Sequence, residues 1–108
     1  MTNRETTTFG PLTMRVKVEV EAGRVTVSGA NAGSWQDRQH RAVKRLRFRQ
    51  DAAVGATTLS GGLPFPGLRR HYVQVTGRDG AILGSALSYS RAAAEGAADY
   101  LDGLLTPF

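Results

Sequence analysis

Between Arg38 and Arg49 the chain places Arg38, Arg41, Lys44, Arg45, Arg47 and Arg49 with no acidic residue among them. Guanidinium groups at that density form bidentate hydrogen bonds to phosphate oxygens, so the chemistry this stretch offers is anion recognition. The segment carries a local +6 while the whole chain has a formal net charge of +5, which leaves −1 for everything else. A basic balance made by one segment points to a localised surface, the form that a contact with nucleic-acid phosphates takes. Two other uses fit the same residues: a solvated face or charged sheet edge that blocks aggregation, and contact with acids. Those acids would belong to a partner protein, to a second copy of the chain, or to Glu95, Asp99 and Asp102 of this one.

The rest of the chain offers less chemistry. Cysteine is absent, which removes disulfides, thiolate metal sites and cysteine nucleophiles together. His40 and His71 stand in no metal-ligand spacing, and no motif selects a nucleophile or carboxylate to work with either. The expectation is therefore a non-enzymatic chain with no cofactor and no metal. The Gly77-Arg78-Asp79-Gly80 run is ordinary hairpin-turn chemistry and no P-loop, since no Gly-Lys-Ser/Thr and no helix follow it. Leu63 and Phe65 in "GGLPFPG" belong to an apolar loop that its prolines pre-order, suited to docking on a partner, to inserting at a membrane surface, or to closing one end of the core. Trp35, His71 and Tyr72 are the candidates for base stacking beside the arginines.

What positions the basic residues is decided by periodicity. On a helix from about 35 to 50, Trp35, Ala42, Val43 and Leu46 share one side, but Phe48 falls in the middle of the basic face. A period of two removes that conflict: Leu46 and Phe48 point inward, while Arg45, Arg47 and Arg49 point outward. A strand from about 42 to 50 is expected, with no more than a turn of helix around 35 to 40.

The 108 residues suit a single domain. Residues 1 to 12 read as a flexible polar tail and 13 to 106 as the folded unit. "RVKVEVEAGRVTVSG" alternates Val16, Val18 and Val20 with Lys17, Glu19 and Glu21, then resumes at Val25 and Val27, a hairpin with one buried face. "ANAGSWQD" reads as loop, and a short strand is expected near Ala56 to Leu59. A second hairpin joins Val73 and Val75 to the run Ile82 to Tyr89. Ser90 caps a C-terminal amphipathic helix stopped by Thr106-Pro107, with Ala93, Ala97, Tyr100, Leu101 and Leu104 as its stripe. Gly96 and Gly103 on that helix suggest a close approach to a sheet. The fold class is α+β: a curved antiparallel sheet or small open barrel of five to seven strands with one helix. No apolar run is long enough to span a bilayer and no secretory leader is evident, so a cytoplasmic location is expected.

The segment "HYVQVTGRDGAILGSALSYSRAAAEGAADYLDGLL", His71 to Leu105, resembles the last hairpin and helix of pleckstrin-homology-like barrels. It is also similar to the strand-turn-strand-helix unit of YegP-type repeats. The likeness spans about a third of the chain and rests on pattern alone. It implies a binding module whose ligands are phospholipid headgroups, peptides or proteins. Lipid-binding members carry basic residues on the first hairpin loop, whereas Glu21-Ala22-Gly23-Arg24 has no basic cluster.

Overall fold

Valines at every second position make the first strong element. The computed structural model describes residues 4–11, 13–36, 39–62 and 69–105. In it β2 (Val16–Glu21) and β3 (Arg24–Ser28) form the expected hairpin, with Val16, Val18, Val25 and Val27 fully buried. The two residues between them, Ala22 and Gly23, both have positive φ (52° and 76°), the turn whose twist matches a right-handed strand pair.

Four antiparallel strands make the first sheet in the order β1-β2-β3-β6, where β1 is Arg4–Phe9 and β6 is Leu46–Arg49. Five make the second, in the order β5-β4-β9-β8-β7. Here β4 is Asn31–Ser34, β5 Arg41–Val43, β7 Ala53–Gly62, β8 Arg69–Gly77 and β9 Ile82–Ser88. Among the described residues the strands number nine rather than five to seven, and they form two sheets that do not close into a barrel.

Three further expectations are corrected. The stretch read as a tail contains β1, paired with β2 from Arg4↔Glu21 to Phe9↔Val16. Helix α1 (Arg91–Leu105) holds it there: Phe9 meets Tyr100 at 5.7 Å between ring centroids, and Tyr100 Oη hydrogen-bonds Glu5 Oε1 at 3.4 Å. The stretch read as loop supplies β4, which pairs with β9 and β5. The strand expected over 42 to 50 is broken in two, because the chain leaves the second sheet after Val43 and joins the first at Leu46. No α-helix occupies the described part of 35 to 50; a 3₁₀ turn, Gln50–Ala52, follows β6 and leads into β7.

The two sheets bury their inner faces against each other and against α1. Leu46 and Phe48 enter the core from the first sheet and Ala32, Val73, Val75 and Ala86 from the second. Ala93, Ala94, Ala97, Ala98, Leu101 and Leu105 line the buried side of the helix, while Tyr100 and Leu104 are partly buried at its margin. Ser90 caps it as expected, its Oγ accepting the Ala93 N–H at 3.2 Å. Gly96 lies against β1, where a Cβ would come within 2.8 Å of Phe9, but Gly103 has open space around it and does not mark a close approach. Thr106-Pro107 and the Leu63 and Phe65 loop lie outside the described residues. Among the described residues no helix is long and apolar enough to cross a membrane.

Candidate functional site

The first sheet has one buried and one outer face, and strand pairing dictates what gathers on the outer one. Across it run three rows: Arg4, Glu21, Arg24 and Arg49; Thr6, Glu19, Thr26 and Arg47; Thr8, Lys17 and Ser28. Arg45, exposed immediately before β6, lies beyond the third row. The face is concave and borders an open depression of about 750 Å³ lined mostly by charged side chains of these rows, with Gln36 at one wall.

The alternation expected for this segment holds within β6. Leu46 and Phe48 are buried, and Arg45, Arg47 and Arg49 are exposed. Alternate residues on a strand lie about 6.7 Å apart, so three arginines span ~13 Å. Lys44 is exposed beside Arg45 where the chain changes sheets, but Arg41 lies on β5, opposite Ser34 in the other sheet. Arg38 lies outside the described residues. The structure thus brings Lys44, Arg45, Arg47 and Arg49 together and sets Arg41 apart.

Three cations that the segment does not contain share the face. Arg24 is opposite Arg49, Arg4 stands at the far end of the same row, and Lys17 lies in the third row. The Gln50 N–H donates to Gly23 O at 2.8 Å, and the Arg47 carbonyl points away from β3 to accept from Gln36 Nε2 at 2.6 Å. Both place Arg24↔Arg49 in the narrow, non-hydrogen-bonded class of antiparallel pair, in which side chains approach most closely. Outward alternation in β3 was the available signal for Arg24; that β3 neighbours β6 was not legible locally.

Acids on this face are already engaged. Arg4 pairs with Glu21 at 3.1 Å, Lys17 with Glu19 at 3.0 Å, and Arg49 with Asp51 at 2.8 Å. Arg24, Arg45 and Arg47 form no ion pair among the described residues. The Lys17 ammonium hydrogen-bonded to Glu19 holds that carboxyl below the usual carboxylate range; partial burial opposes the shift, and the charges of Lys17, Arg4 and Arg45 add to it. None of the ion pairs between described residues joins the β6 arginines to Glu95 or Asp99 of the helix, where Glu95 instead pairs with Arg91 at 2.7 Å.

The aromatic candidates separate. Tyr72 lies within the second sheet, opposite Leu59 and Leu87. His71 is 7% exposed, and its Nδ1 lies 3.0 Å from Ser60 Oγ on the facing strand. That contact satisfies a buried imidazole. Trp35, directly after β4, is 46% exposed and adjoins Gln36. Comparisons with family models, with curated proteins and with solved structures find no match to this chain.

Proposed function

We propose that this domain is a non-enzymatic binding module that contacts nucleic-acid phosphates through the outer face of its first sheet. The observation that carries the reading is the Arg24↔Arg49 pair, which puts two like charges at the closest cross-strand spacing and continues along β6 into Arg47 and Arg45. Like charges directly opposite one another destabilise a sheet; Asp51 engages Arg49 at 2.8 Å, Arg24 forms no ion pair among the described residues, and an anion between the two arginines reverses the sign of their interaction. Arginine is suited to this because its planar fork meets two phosphate oxygens at once.

The test is fluorescence anisotropy of labelled single-stranded DNA, duplex DNA and RNA, titrated with the protein at low and moderate salt. About three phosphate contacts on a single strand give a log-log salt slope of roughly −2. Replacing Arg45, Arg47 and Arg49 by glutamate abolishes binding and preserves the circular dichroism spectrum, because all three are exposed. Absence of binding by the native protein at low salt refutes the reading and transfers the face to an acidic protein partner.

A further inference from the structure

The one tryptophan of the chain is held in place yet left uncovered. Its backbone N–H donates to Leu83 O at 2.7 Å, and its ring meets the edge of His40 at 4.9 Å with planes 62° apart. His40 can take that position because residue 33 is glycine: a Cβ there would lie 2.7 Å from His40 Nε2. The indole is therefore braced on one side, while 46% of the residue remains open to solvent. The next residue, Gln36, ties this corner to the arginine strand, donating to Ser34 Oγ at 3.2 Å and to Arg47 O at 2.6 Å.

We propose that the nucleic acid bound here is single-stranded, with Trp35 as the stacking platform for a base beside the arginine row; this rests on the phosphate-binding reading above. An exposed, braced aromatic residue that immediately precedes Gln36, itself a wall of the basic depression, supplies the combination by which single strands are held, since every unpaired base offers a π-face and the backbone follows the charge. A duplex keeps its bases stacked on one another and has no face to offer Trp35.

Three probes separate the stacking from the charge: an oligothymidylate, a blunt duplex of the same length, and inorganic polyphosphate, which has charge and no bases. With native protein, oligothymidylate quenches the Trp35 fluorescence and binds at least tenfold more tightly than the duplex. Trp35→Ala lowers oligothymidylate affinity about tenfold, and leaves polyphosphate affinity within twofold. Trp35→Phe, which keeps a ring against His40, retains most of the affinity and guards against an effect on folding. Equal binding of oligothymidylate by native and Trp35→Ala protein, or equal binding of duplex and single strand, overturns the single-strand proposal and leaves the phosphate reading intact. Failure of the native protein to bind polyphosphate or any nucleic acid overturns the phosphate reading itself.

Discussion

Arg24 and Arg49 oppose each other where antiparallel side chains come closest, a like-charge contact that the exposed Arg49–Asp51 pair offsets only in part. Replacing Arg24 by threonine, the residue type already at position 26 of the same strand face, is expected to raise folding stability by about 0.5 kcal/mol while weakening polyanion binding several-fold. Urea denaturation and anisotropy on the same variant read the two effects, and a loss of stability would show that the pair supports the fold. Glu19 gives the complementary change. Its folded carboxyl titrates below the ordinary value because of Lys17, so it adds stability above the unfolded pKa and loses that contribution as pH falls through the depressed folded value. Being a surface pair, it is worth less than about 1 kcal/mol. Glu19→Gln should flatten the part of the acid-side stability curve below pH ~4.5 and, by removing an acid from the concave face, tighten polyphosphate binding two- to threefold.

Elements bring these residues together through one unusual strand. The chain leaves the second sheet after β5, and β6 then inserts Leu46 and Phe48 into the core and exposes arginines on the outer face of the first sheet. Leu46 seats over Gly84 of β9, where an added Cβ would collide with its Cδ1 and with the Gly33 carbonyl oxygen. Gly84→Ala is therefore expected to destabilise the domain by about 1–3 kcal/mol through overpacking, measured as a lower urea midpoint. A Gly84→Ala protein of native stability would mean that the two sheets do not pack through this contact. Local pattern revealed the two hairpins, the capped helix and the outward arginines, because each follows from alternation or capping within one segment. It missed β1 and β4, whose residues are polar or small and acquire strand structure only from neighbours: β1 from β2 and the helix, β4 from β9. It also joined β5 to β6, since Lys44 and Arg45 carry no Gly or Pro to announce the change of sheet. The pairing of Arg24 with Arg49 depends on that same long-range return and was hidden with it.

At the scale of the whole molecule, the basic depression of the first sheet stands apart from the acids of the helix. Glu95 and Asp99 lie exposed there, bordering a small depression beside β7 that shares no lining residue with the basic one. The principal extents are 44, 29 and 26 Å. Screening decides whether the two regions influence each other: the Debye length is about 8 Å at 0.15 M ionic strength and about 30 Å at 0.01 M, so only at low salt does the helix charge reach a polyanion on the other side. Asp99→Asn should accordingly leave oligothymidylate affinity unchanged at 0.15 M and tighten it at 0.01 M, steepening the salt dependence at its dilute end. Arg47→Gln, which removes a direct contact, should weaken binding at both and lower the slope by roughly 0.7, the change expected for one phosphate on a single strand. Comparing the two variants across a salt series distinguishes a local contact from a field effect. If Asp99→Asn altered affinity equally at both ionic strengths, the bound strand would have to pass beside the helix, and the interface would extend beyond the first sheet.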